Sequence, residues 1–158
     1  MDSAVTQTRR PAHWVIISTG ILVLAGFGIS LYLTIAHFAG TQSLACSDNG
    51  IVNCAKVTTS PQSVVFGIPV AILGLGYFVV ALFFYSPWAW LSAKRTIHLI
   101  RVGLAGAGML FVLWLITAEL LIIKSICLWC TGVHIITFVL FVITLTTAPA
   151  LLDKEPAS

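Results

Sequence analysis

Apolar residues fill this chain in long blocks with almost no charged position inside them. Between Arg10 and Asp48 no Asp, Glu, Lys or Arg occurs. The unbroken apolar part of that interval, about residues 14–39, is long enough to cross a bilayer with some tilt. A second charge-free interval covers residues 57–93, but Thr58, Thr59, Ser60, Pro61, Gln62 and Ser63 are turn chemistry. The helix there is predicted over about 67–86, with Pro69 in its first turn. A third block covers about 97–123 and a fourth about 127–147, separated only by Lys124-Ser125-Ile126. A connection that short forces an antiparallel hairpin. The pattern predicts an all-α integral membrane protein, a four-transmembrane-helix bundle with one long external loop over 40–66. A single membrane domain of residues 14–148 lies between tails 1–13 and 149–158.

Composition sharpens this. The chain is 59% hydrophobic and only 8% charged, against about 25% charged in soluble domains, which excludes a soluble globular protein. The net charge of +3 rests on 8 basic and 5 acidic residues with no basic run, so nucleic-acid binding has no support. Arg9, Arg10, Lys94, Arg95, Arg101 and Lys154 fall on one side of the predicted bundle, Lys56 and Lys124 on the other. The excess of basic residues marks the cytoplasmic side, so both termini are expected inside. The first apolar run is too long for a signal-peptide core and no A-x-A-like site follows it closely, so it is read as a retained helix.

That orientation gathers all four cysteines on the outer face: Cys46 and Cys54 in the loop, Cys127 and Cys130 at the start of the fourth block. An even set of thiols on the oxidising side of a membrane is better explained by disulfides than by packing. In Cys127-Leu128-Trp129-Cys130 the two sulfurs share a helix face and can close or open with little backbone movement. Unpaired N–H groups at a helix N-terminus stabilise a thiolate there, which makes the pair reactive in exchange. The competing reading is a zinc site using all four cysteines. The spacing of eight between Cys46 and Cys54 is looser than the usual two to four intervening residues, and no metal is expected. His134 lies on the same stripe as Cys127 and Cys130, within about 60°, and is a candidate donor to a small polar substrate group.

Together, the loop pair spaced by eight, Asn53-Cys54-Ala55-Lys56-Val57-Thr58-Thr59-Ser60, Phe66-Gly67-Ile68-Pro69 and the late Cys127-Leu128-Trp129-Cys130 four residues before His134 resemble the vitamin K epoxide reductase (VKOR) family. The likeness is strongest to its bacterial members and covers about residues 14–147. It implies a four-helix bundle around a quinone, with electrons passing from a thioredoxin-like protein through two cysteine pairs. On that resemblance Cys46 meets the partner's thiol, Cys54 shuttles electrons to Cys127, and Cys130 faces the quinone. Ser60 matches the family's loop serine. Position 134 falls where animal members carry a tyrosine that hydrogen-bonds the quinone, and Ser63 where they carry an asparagine. Many bacterial relatives continue into a fused thioredoxin-like domain. This chain stops at Ser158, so a separate secreted or membrane-anchored DsbA-like partner is expected. Its shorter loop before Phe66-Gly67 argues for menaquinone or ubiquinone over vitamin K epoxide.

The implied function is reoxidation of that partner at the extracytoplasmic face of a bacterial cytoplasmic membrane, in support of disulfide formation. A thiol sink alone does not suffice: from about −120 mV to about −270 mV is roughly 7 kcal/mol uphill. A quinone removes that obstacle. The other classes are a small four-span transporter, which asks for ionisable residues in mid-membrane, and a structural subunit with stabilising disulfides. Glu119, the one acid inside a predicted span, is expected to reach for the outer interface beside Lys124, with proton transfer as the alternative. His37, near the outer end of the first span, is expected to be interfacial, with contact to the same site as the alternative. Trp14, Tyr85, Trp88 and Trp90 suit a cytoplasmic aromatic belt. Gly74, Gly76, Gly103, Gly106 and Gly108 suit close helix contact.

Overall fold

The computed structural model describes residues 11–40, 44–46 and 50–152, and three helices in it are long and apolar enough to cross a membrane. Arg9, Arg10 and Lys154, which carry half of the basic flank, and most of both expected tails lie outside the described residues. The first helix, α1 (His13–Ala39), buries Val15, Thr19, Val23, Gly26, Ser30, Leu33 and Ala36, a stripe at helical spacing made largely of small residues. Its large apolar side chains Ile17, Ile21, Leu24 and Ile35 point outward. Large residues outside and small ones inside is the arrangement of a helix whose solvent is lipid.

After α1 the chain passes through α2 (Cys54–Thr58), a 3-10 turn (Pro61–Ser63) and a hairpin of β1 (Val64–Val65) and β2 (Ile68–Pro69). The hairpin replaces the expected first turn of the second span. Phe66 and Gly67 both have positive φ (52° and 81°), the two-residue turn that matches strand twist, and the β-branched Val64 and Val65 suit the strand before it. Pro69 is therefore the residue capping α3 (Val70–Phe84) and not a residue inside it. At 15 residues, α3 is about 22 Å long, less than the roughly 30 Å of a bilayer core. The third block is α5 (Arg95–Thr117), running on through a π-helical turn (Ala118–Ile123), and the fourth is α6 (Leu128–Leu152).

Helix α1 lies against α3 and α6, and α5 packs along α6. The α1–α3 contact depends on Gly26, where any Cβ would fall inside the Phe78 ring. At Gly108 a Cβ would meet the Tyr77 hydroxyl at 2.6 Å. Gly76, Gly103 and Gly106 have open space around them, so the expected small-residue contact holds for Gly108 and in looser form Gly74, while Gly26 takes the most crowded position.

The cytoplasmic belt expected of Tyr85 and Trp90 is also corrected. Both are buried, while Trp14 and Trp88 are exposed. Between α3 and α5 the short α4 (Pro87–Leu91) starts at a Ser86 cap and turns Trp90 inward, where Nε1 donates to Thr19 Oγ1 at 3.2 Å. The Tyr85 hydroxyl bonds Thr144 at 2.7 Å. Both rings flank the Arg101 guanidinium, 3.8 Å from the Trp90 centroid and 5.7 Å from Tyr85. Arg101 Nε donates to the Phe84 carbonyl and Nη1 to His98 Nδ1. Aromatic faces and a carbonyl take the place of a carboxylate, and such contacts strengthen when desolvated.

Candidate active site

The loop between α1 and α3 is tied to the segment before α6 by backbone pairing. Ile126 N–H donates to the Ile51 carbonyl at 2.9 Å, and Asn53 N–H donates to Ile126 at 3.1 Å. Asn53 then caps α2, its Oδ1 accepting from Lys56 N–H at 2.8 Å. Because Cys54 follows Asn53 and Cys127 follows Ile126, this register carries the two cysteines into one buried cluster with Val57. Cys54 is joined to Cys46 by a disulfide, with Cα atoms 6.1 Å apart. Cys127 and Cys130 are free thiols.

Two aromatic side chains hold the Cys46 end. Ala45 N–H donates to the Tyr32 hydroxyl at 2.9 Å, and Trp129 Nε1 donates to the Ala45 carbonyl at 3.1 Å. The two rings are 4.9 Å apart. The tryptophan between the two inner cysteines thus anchors the residue beside the outer one.

Cys127 sits just before the first residue of α6, outside the apolar span. The Cys130 backbone N–H points at its sulfur at 3.4 Å. The Cys130 thiol, and after it the backbone N–H groups of Cys130 and Trp129, hold the Cys127 thiol below its ordinary pKa against the opposing effect of burial. Only the backbone contribution is the helix-start activation expected from the CxxC position, and it falls on the cysteine packed in one cluster with Cys54.

Behind the pair lies a cavity of about 350 Å³, within the range of small-molecule sites. Apolar residues of α1, α3, α5 and α6 make most of its wall, and Cys130, His134, Ser60, Ser63, His37, Tyr77 and Glu119 reach it. A disulfide, a dithiol with Cys127 activated and an apolar chamber thus lie in sequence from the loop inward. The sequence profile of the vitamin K epoxide reductase family matches residues 17–145. The chain belongs to the vitamin K epoxide reductase family. This VKOR-family chain is accordingly a multi-pass membrane protein with oxidoreductase activity, in a family associated with quinones. No curated protein matches it closely enough to add a relative.

All seven candidate residues come together in the VKOR-family domain: the four cysteines form the two pairs, and His134, Ser60 and Ser63 line the cavity. The serines are committed elsewhere. Ser60 Oγ donates to Val57 at 2.8 Å and Ser63 Oγ to Ser60 at 2.6 Å, so each hydroxyl must turn before it can donate to a quinone oxygen. His37 lines the cavity rather than the interface alone. Among the described residues no His, Cys, Asp and Glu cluster could hold a metal ion. Two further groups escaped the sequence reading. Tyr32 carries no signal beyond its place near the outer end of a span. Tyr77 lines the cavity, and its buried hydroxyl, packed against Gly108, has no hydrogen-bond partner among the described residues. An orphaned donor in an apolar chamber suits a ligand whose only polar atoms are acceptors, as a quinone's carbonyl oxygens are.

Proposed function

We propose that this protein is the quinone-linked oxidase of a separate thioredoxin-like, DsbA-like protein, working at the outer face of a bacterial cytoplasmic membrane. The observation that carries the reading is the order of the groups: the Cys46–Cys54 disulfide, then Cys127, then Cys130 on the apolar cavity. A thiolate of the reduced partner attacks Cys46, forming a mixed disulfide and releasing Cys54. The partner's second thiol resolves that bond, so the partner leaves oxidised. Cys54 attacks Cys127 of an oxidised Cys127–Cys130 pair and frees Cys130. Cys46 then recloses on Cys54 and sheds its proton, and Cys127 leaves as a thiolate that takes up that proton, so the inner pair is restored as a dithiol. Two electrons and two protons leave the inner dithiol as it closes again, and reduction of a menaquinone or ubiquinone to the quinol consumes them.

The chain's own groups do the positioning. His134 and the Tyr77 hydroxyl supply hydrogen bonds to the carbonyl oxygens, and the apolar wall excludes water from the exchange. In the membrane we take α3 with its flanking hairpin as the fourth crossing, both termini on the cytoplasmic side and the cysteines outside. The six-to-two split of basic residues supports this orientation. The test is Cys130→Ser in the full chain: reduced partner should no longer drive quinone reduction, while the Cys46–Cys54 disulfide still forms. Normal quinone turnover in that variant overturns the assignment.

A further inference from the structure

Glu119 is the only Asp or Glu between Asp48 and Asp153, and it is not at the interface beside Lys124 as expected. It is 6% exposed, while Lys124 is exposed. A carboxyl group buried among apolar helices is costly unless it is paired or hydrogen-bonded, and such groups mark functional sites. Its place is specific. It occupies the second position of the π-helical turn Ala118–Ile123, and such turns are rare and concentrate at functional sites. The Ser125 N–H closes that turn on the Glu119 carbonyl at 3.1 Å, and Ser125 is itself buried with an unpartnered hydroxyl.

The carboxylate lies close enough to both Cys127 and Cys130 to interact with them electrostatically, and the backbone N–H of Cys127 faces it. It also lines two spaces at once: the main cavity, and a second groove between α5 and α6 bordered by Ile116, Leu120, Thr131 and Ile135. His134 borders both as well. The titratable groups around it are therefore Cys127, Cys130 and His134 from the α6 side, with Tyr77 of α3 and His37 of α1 across the cavity.

Building on the quinone reading above, we propose that Glu119 is the proton carrier of this site. As the Cys127–Cys130 bond forms, two S–H bonds are lost. Glu119 takes up one of those protons and delivers it to the quinone oxygen, returning to its starting state. The electrons pass from sulfur to the quinone, the second thiol proton completes the quinol, and no outside reductant or acid enters the balance.

The test uses full-length protein reduced with dithiothreitol and mixed with a short-chain ubiquinone analogue. Glu119→Gln should slow quinol formation about 100-fold, the lower range for loss of a positioned proton-transfer group, and Glu119→Asp should recover most of the rate. Cys46–Cys54 disulfide formation should stay unchanged. A second measurement needs no quinone. With Cys46 and Cys54 replaced by Ala, alkylation of the inner thiols by iodoacetamide should move to lower pH in Glu119→Gln, because a negative charge facing them is gone. An unaltered quinol rate, or an unaltered alkylation profile, overturns the proposal. If Glu119→Gln turns over normally while Cys130→Ser does not, the carrier alone is wrong. If both turn over normally, the quinone reading falls with it. Should the amide variant fail to accumulate, the pH–rate profiles of wild type and Glu119→Asp decide: a displaced limb supports the carrier, and superimposable profiles overturn it.

Discussion

The clamp on Ala45 makes a quantitative claim about the outer disulfide. Trp129→Phe removes the N–H that donates to the Ala45 carbonyl but keeps a ring against Tyr32. Tyr32→Phe removes the hydroxyl that accepts from the Ala45 N–H. Each bond is worth about 1 kcal/mol net. Both restrain the chain beside Cys46, so they lower the entropy lost when Cys46 closes onto Cys54, and losing one should make the closed form about fivefold less favoured. For a two-electron couple, 1.4 kcal/mol is about 30 mV. The outer pair should therefore become easier to reduce by about 20 mV per variant. Because the two bonds hold opposite sides of one residue, the double variant should shift the potential by no more than about 40 mV, with coupling between the sites. The assay is a glutathione redox titration of Cys46–Cys54 in a Cys127→Ser/Cys130→Ser background, read by maleimide gel shift. Unchanged potentials in both single variants, or a shift toward harder reduction, would refute the clamp.

Three other outcomes follow from the geometry. Tyr77→Phe should raise the KM for quinone about fivefold, the loss of one hydrogen bond, without lowering the Tm in detergent, because that buried hydroxyl has no partner among the described residues. Gly26→Ala should lower stability by about 1–3 kcal/mol, since its Cβ would fall inside the Phe78 ring, whereas Gly103→Ala meets open space and should be near neutral; thermal unfolding compares the two. Replacing Cys130 with Ala removes the first of the groups that hold Cys127 down, so the Cys127 thiolate, followed by ultraviolet absorbance with Cys46 and Cys54 replaced by Ala, should form at higher pH than in the parent.

The helical blocks were legible because lipid imposes one demand on every spanning segment, a long apolar run with its backbone bonds closed internally. The ends of α1, and the continuous course of α5 through Ile123, follow that rule. The start of the second apolar block does not, because Gly67-Ile68-Pro69 is equally good turn chemistry and the positive φ of Phe66 and Gly67 is a backbone choice invisible to hydropathy. The aromatic residues at the other end were misplaced for a related reason. Apolarity cannot separate a ring facing lipid from one folded over Arg101, and Trp90 took the second course because α4 turns it inward.

The amino-acid sequence by itself determined the membrane setting, the family and the four cysteines, since these rest on composition and on spacings along the chain. Which thiol is activated, what holds the outer pair over the inner one and what lines the chamber were decided only by tertiary structure. Those properties arise between segments far apart in the chain. The Ile51–Ile126 register sets Cys54 beside Cys127, Trp129 reaches back to Ala45, and the π-helical turn keeps Glu119 inside the protein. A hydrogen bond or a buried charge depends on where two groups meet in space, and only the packed bundle specifies that meeting.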